Sequence, residues 1–102
     1  MANVFKNYTS TDVGTSPATV YTVPASTTSV MLGCNLANVT TSQIKVSAEL
    51  AGVSIIKDAP IPAGSALSIL DGKIIAETGE AITVTSDTAT SVDVILSVME
   101  QS

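Results

Sequence analysis

The clearest pattern along this chain is a strict alternation of apolar and polar residues from position 43 to position 50. Ile44, Val46, Ala48 and Leu50 form the apolar row, and polar side chains occupy the positions between them. A period of two residues is typical of a β-strand with one buried face. The pattern therefore predicts a half-buried strand.

The C-terminal region repeats this alternation with a second apolar face. Val92, Val94, Leu96 and Val98 form one row, and Ile95 and Met99 make the opposite row partly apolar. We expect both faces of this strand to be covered. The residues expected to share one core between two sheets are Ile44, Val46, Leu50, Val94, Leu96 and Val98.

Further apolar rows rich in β-branched residues predict more strands, and turn residues separate them. Asp71-Gly72 is the strongest signal for a two-residue hairpin turn. Val23-Pro24 and the proline-rich segment 60–64 are expected to be corners at which the chain changes sheets, because proline cannot donate a backbone hydrogen bond. The predicted strands are 3–8, 19–23, 29–37, 43–50, 53–58, 66–70, 73–77, 81–85 and 91–99.

Short strands at intervals of about 8–12 residues predict an all-β fold, either an antiparallel β-sandwich or a small barrel. We expect the antiparallel β-sandwich, with jelly-roll-like or immunoglobulin-like topology. An immunoglobulin domain proper is disfavoured, because the chain has one Cys and no Trp. A length of 102 residues fits a single domain. Within it we distinguish residues 1–18, an N-terminal strand or arm followed by a loop over 9–18, from the sandwich at 19–102.

The composition argues against an enzyme. The chain has no His, and its four basic residues are all lysines, so the usual groups for proton transfer near neutral pH and for bidentate phosphate recognition are missing. Cys34 lies in an apolar run and is expected to be a buried thiol. Acidic residues such as Asp71 and Asp87 have no calcium-loop spacing and are interpreted as solvated turn residues. We predict no cofactor, no metal and no small-molecule substrate.

The charge balance limits the partners further. Nine acidic residues against four lysines give a net charge of -5, which disfavours nucleic acid and anionic membrane surfaces. No apolar run reaches the length of about 18–20 residues needed for a membrane span. The N-terminus lacks a signal-peptide pattern, which indicates a cytosolic origin. Only 13% of residues are charged, so the surface suits coverage by another protein.

The predicted protein interface comprises Val4, Phe5, Tyr8, Tyr21, Ile95 and Met99. The first three lie in the N-terminal segment, which the polar stretch 9–18 would detach from the sandwich. That segment could dock on a neighbouring subunit, as an added strand or as aromatic anchors. Alternatively, it pairs as an edge strand of its own domain.

Six segments of the sequence together resemble the small accessory virion proteins of tailed bacteriophages, including those that infect cyanobacteria. They are 20–25 (VYTVPA), 36–38 (LAN), 42–44 (SQI), 56–65 (IKDAPIPAGS), 70–73 (LDGK) and 82–86 (ITVTS). The resemblance implies a non-enzymatic structural subunit, present in many copies on the virion and made in the host cytoplasm. Its expected partners are the major capsid protein or another virion protein, and further copies of itself.

A capsid decoration or cement protein is the leading hypothesis, since a protein that binds only the assembled shell stabilises it by mass action. The alternative is a neck or tail subunit, such as a connector, collar or baseplate component. A receptor- or glycan-binding module is a second alternative, although the chain has no Trp to stack on a sugar.

Overall fold

A computed structural model describes residues 3–70 and 72–102 of the chain. In this part of the chain there are nine β-strands and no helix, which confirms the all-β prediction. The strands are β1 (Asn3–Val13), β2 (Ala18–Thr22), β3 (Thr28–Asn38), β4 (Ile44–Leu50), β5 (Val53–Ile61), β6 (Ala66–Ser68), β7 (Ile74–Ala76), β8 (Ala81–Ser86) and β9 (Val92–Gln101).

The strands form two antiparallel sheets that pack as a sandwich. One sheet has the order β1-β9-β3, with β6 and β7 both paired to the far side of β3, and the other has the order β2-β8-β4-β5. The pairing is nested, because the first strand pairs with the last, the second with the eighth and the fourth with the fifth. A long hairpin wrapped over itself in this way is a jelly roll. The order therefore favours the jelly-roll topology over the immunoglobulin one.

The core is built by the alternation seen in the sequence. Ile44 and Val46 on β4 and Val94, Leu96 and Val98 on β9 are each at most 1% exposed. Leu50 is partly buried and packs against this cluster. The predicted shared core between two sheets is thereby confirmed. Cys34 is also buried, as predicted, at 3% exposure.

Both predicted corners carry the chain from one sheet to the other. The segment after β2 passes through Val23-Pro24 to β3, and the segment after β5 passes through 62–65 to β6. Pro60 still pairs with Lys45, so β5 extends further than predicted. This is possible because β5 is an edge strand, where a missing N–H can face solvent. Asn38 supports the second corner, since its Nδ2 donates to the carbonyl oxygen of Ile61 at 2.9 Å.

The predicted loop over 9–18 is shorter than expected, because β1 continues to Val13. Thr9 and Ser10 pair with β9, and a register shift follows before Val13 pairs with Val92. Asp12 lies in this irregular step with a φ of 56°. The polarity of this stretch was misleading, since an edge strand needs only its backbone ladder and can leave polar side chains in solvent. Residues 3–13 are thus part of a sheet of their own chain.

The described strands on either side of Asp71-Gly72 do not pair with each other as the predicted hairpin requires. β6 pairs with residues 35–37 of β3 and β7 pairs with residues 29–31, so both lie along the same side of β3. They follow each other along that edge and are not partners. Asp71 lies outside the described residues, and Gly72 has a φ of 128°, which favours glycine.

Replacing a buried β9 side chain tests the core. We expect Leu96→Ala to lower the free energy of unfolding by about 2–5 kcal/mol, because a fully buried leucine leaves a cavity when it is truncated. Ile95→Ala on the same strand is the control, since Ile95 is 48% exposed. Urea denaturation measures both, and a Leu96→Ala loss no larger than that of the control would contradict the assignment.

Candidate protein interface

The outer face of the five-stranded sheet carries an uncovered apolar row near one end of the sandwich. Phe5 of β1 lies opposite Met99 of β9, Met99 lies opposite Val30 of β3, and Val30 lies opposite Ile75 of β7. Directly opposite residues in antiparallel strands share a face, so these four side chains form one line across the sheet. Phe5 is 72% and Ile75 is 61% exposed. We call this line the Phe5 row.

A small hollow lies beside the Phe5 row. Its volume is about 200 Å³, and its lining includes Phe5, Leu32 and Ser97. Gly33 lies directly opposite Ser97 on the same face, after a register shift in β3. A Cβ atom built on Gly33 would meet nothing within 4 Å. Among the described residues nothing fills this space, and the position leaves a depression that a partner side chain can enter.

Three of the six predicted interface residues lie on the outer face of the sheet, and the other three do not. Phe5 and Met99 lie in the Phe5 row, and Ile95 lies on the same face between Thr9 and Asn35. Val4 lies opposite Glu100, on the inward-facing side of β1, although it is 43% exposed. Tyr8 and Tyr21 pack inside the chain, as described next.

Tyr21 is only 4% exposed, so it does not belong to an exposed interface. Tyr8 stacks on it with a distance of 4.2 Å between ring centroids. Both hydroxyls donate to Oε2 of Glu100, Tyr8 at 2.8 Å and Tyr21 at 2.6 Å. The two tyrosines were predicted to contact a partner, but they instead hold β1 and β2 to β9 of their own chain.

Glu100 is the centre of this polar cluster. It is 8% exposed, and its Oε1 lies 3.4 Å from Nζ of Lys6. The hydroxyl of Tyr21 donates its proton to Glu100, so in its contact with Ser29 it accepts a hydrogen bond from the Ser29 hydroxyl. Hydrogen bonds from Tyr21, and then from Tyr8 and Lys6, lower the pKa of Glu100 despite its burial.

The pKa values of the two tyrosines are raised, whereas that of Glu100 is lowered. Burial, followed by the hydrogen bond to Glu100, raises the pKa of Tyr8 and that of Tyr21 from 10.0 to about 12. Both hydroxyls therefore stay protonated and remain donors over the whole neutral range. The cluster fixes the first half of β1, and thereby positions Phe5.

Sequence reasoning missed part of the exposed apolar surface. Val30, Leu32 and Ile75 belong to it, yet the alternation along the sequence predicts only that they lie in strands. A groove of about 740 Å³ was missed as well. It lies where β5 and β7 leave the sandwich open, and its lining includes Leu50, Ile55, Ile69, Ile74 and Ile75 with Glu77 and Glu80. Consecutive apolar pairs, such as 55–56 and 74–75, are the signal of strands with two apolar faces.

No arrangement for metal or thiol chemistry is found among the described residues. They contain no group of three or more acidic or cysteine side chains that could hold a metal ion. Burial raises the pKa of Cys34 to about 11, so its thiol is protonated at neutral pH. The described part of the chain contains no helix of the length and hydrophobicity that a membrane span requires.

Of three comparisons with known proteins, one found a likeness of fold to a solved structure. No family model matches the chain. No curated protein matches it significantly. A solved structure described as Bacillus endospore appendages that form a novel family of disulfide-linked pili matches with a TM-score of 0.50 and 14% identity, over 99% of this chain and 85% of that one. The likeness is one of fold. The single cysteine of this chain is buried, so it is not placed to link subunits.

The polar cluster of Glu100 with Tyr8, Tyr21 and Lys6, here the Glu100 cluster, should make the fold less stable at both low and high pH. On the acid side, the folded pKa of Glu100 is below its ordinary value of 4.5, so stability is lost as the pH falls through this range. On the alkaline side, the raised tyrosine pKa values cause a loss between pH 10.0 and about 12. Urea midpoints measured against pH test both limits.

Glu100→Gln isolates the acid limit, and Glu77→Gln is a control at an exposed position. We expect the Glu100→Gln variant to be less stable at neutral pH, because a neutral amide accepts weaker hydrogen bonds from the tyrosines. Its stability should also vary less with pH below about 5 than that of the unmodified chain. An unchanged acid profile in the Glu100→Gln variant would contradict the assignment.

Proposed function

We propose that this chain is a non-enzymatic structural subunit that stabilises a phage particle by packing against its proteins, as a capsid decoration or cement protein. The observation that carries the proposal is the Phe5 row, a line of apolar side chains on the outer face of an otherwise complete sandwich. Exposed apolar surface of this kind marks a protein contact. Only 13% of the residues are charged, and a surface with few charges also favours coverage by another protein.

The shape of the face fits an added subunit. Phe5 projects from the sheet at 72% exposure, and the hollow beside it can receive a side chain in return. Aromatic residues next to pockets are the usual centres of binding energy in protein interfaces. A subunit that binds the assembled shell through such a face and has no affinity for free shell protein would shift assembly toward the particle.

The resemblance to accessory virion proteins supports the phage assignment, and it leaves a neck or tail location as the alternative. A second candidate is a filament subunit, which the likeness of fold to a structure described as pili favours. A glycan-binding module has less support, because Tyr8 and Tyr21 are engaged with Glu100 and are not free to stack on a sugar.

Cryo-electron microscopy of particles and appendages purified from cells that produce the chain tests the proposal. A shell-wide array of its jelly roll would support a decoration protein, and a single ring below the portal would support the alternative. A fibre composed of this chain would instead support the filament subunit. If the chain is found in none of these assemblies, the proposal fails.

Phe5 can be tested separately from folding. We expect Phe5→Ser to reduce the affinity for particles by about 30-fold or more, which corresponds to about 2 kcal/mol at an interface centre. Stability should change by about 0.5 kcal/mol or less, since the side chain is exposed. Val39→Ser is the matched control, because Val39 is 50% exposed and lies outside the Phe5 row. Equal binding by both variants would remove Phe5 from the interface.

Gly33 offers a test that adds atoms to the face. Gly33→Leu should fold normally, because its φ is outside the left-handed region and a Cβ meets open space. The leucine should fill the hollow beside Phe5 and reduce particle binding, and Gly33→Ala should reduce it less. Co-sedimentation with particles and urea denaturation give the two readouts. Full binding by Gly33→Leu would show that no partner enters the hollow.

A further inference from the structure

Among the sheet edges of the described residues, β1 differs from the others because it lacks features that prevent further strand pairing. Among the described residues, β1 has a strand partner on one side only, which is β9. It pairs from Asn3 to Ser10 without a register shift, and no proline occurs in this stretch. A long, regular edge without such interruptions exposes a row of unpaired N–H and C=O groups, which is a template for another strand.

The other edges carry the usual protective features. β5 contains Pro60 and Asp58, the latter with a φ of 50°, and its pairing is irregular. β2 has five residues and a register shift. β6 and β7 have three residues each. Short, bulged or proline-containing edges resist further pairing, so the contrast with β1 is marked.

We infer that the free edge of β1 pairs antiparallel with β1 of a second copy of this chain, which joins two five-stranded sheets into one. Identical strands related by a two-fold axis form an isologous contact, in which each copy provides the same donors and acceptors. Both exposed edges are then satisfied in a single step. The partner is defined by this self-complementarity.

The charge distribution along β1 permits a second copy of this acidic chain to bind at this edge. The chain has a net charge of -5, yet residues 3–11 contain no carboxylate and only one lysine. That lysine, Lys6, is paired with Glu100 of its own chain at 3.4 Å. Two β1 strands can therefore approach without the repulsion that two acidic surfaces would cause.

The edge is also continuous with the Phe5 row. Phe5 is the terminal residue of that row and lies on β1 itself. A two-fold axis perpendicular to the joined sheet keeps both outer faces on the same side. The Phe5 rows of the two copies would then become neighbours, and part of the exposed apolar surface would be covered.

Analytical ultracentrifugation of the purified chain over a range of concentrations tests the inference, together with proline substitutions in β1. Successive N–H groups along a strand alternate between its two edges, so those of Asn7 and Ser10 face opposite sides. We expect one of Asn7→Pro and Ser10→Pro to disrupt the β9 ladder. The other should stay folded and remain monomeric at concentrations where the unmodified chain has twice the monomer mass.

Amide hydrogen exchange makes the test independent of the variants. In a dimer, every second amide in residues 3–10 should gain protection as the concentration rises, and the intervening amides, bonded to β9, should be protected throughout. An unmodified chain that stays monomeric at millimolar concentration, or a folded proline variant that dimerises normally, overturns the inference. Because these measurements use the isolated chain, they are independent of whether it binds a particle.

Discussion

The structure depends on β9 having two strand neighbours and two different faces. β9 pairs with β1 on one side and β3 on the other, so it holds the five-stranded sheet together. Its inward side chains supply fully buried core residues such as Leu96 and Val98, and its outward side chains include Ile95 and Met99. A shift of one residue would exchange these faces. The core therefore fixes which residues the outer face displays.

Glu100 adds a polar constraint at the end of the same strand. Burying a carboxylate is unfavourable unless donors compensate for lost hydration. Here the compensation comes from Tyr8 of β1, Tyr21 of β2 and Lys6 of β1. Tyr21 belongs to the opposite sheet, so the cluster joins both layers of the sandwich at this end. The removal of one donor would leave the charge under-compensated, which makes the position of β1 sensitive to each member.

The sequence predicted the strands, both corners and the central core, because strand alternation and proline geometry act over a few residues. It failed for residues 9–13 of β1, where backbone pairing with β9 overrides a polar composition. Of the apolar outer face, it predicted Phe5, Ile95 and Met99 but not Val30 or Ile75. Their membership depends on which strands become neighbours, and that information is absent from local periodicity. Tyr21 was misplaced for the same reason, since its buried partner Glu100 is 79 residues away along the chain.

The outer face and the β1 edge are distinct surfaces, and their geometry makes them compatible. Edge pairing extends the sheet within its own plane, and a partner on the Phe5 row approaches perpendicular to that plane. A two-fold dimer would thus present two hollows and two Ile75 side chains to the same side. Two linked contacts on a repeating lattice bind more tightly than one, provided that their spacing matches the lattice. Weak contacts through each single face would then suffice for stable attachment, which suits a subunit with a small apolar row.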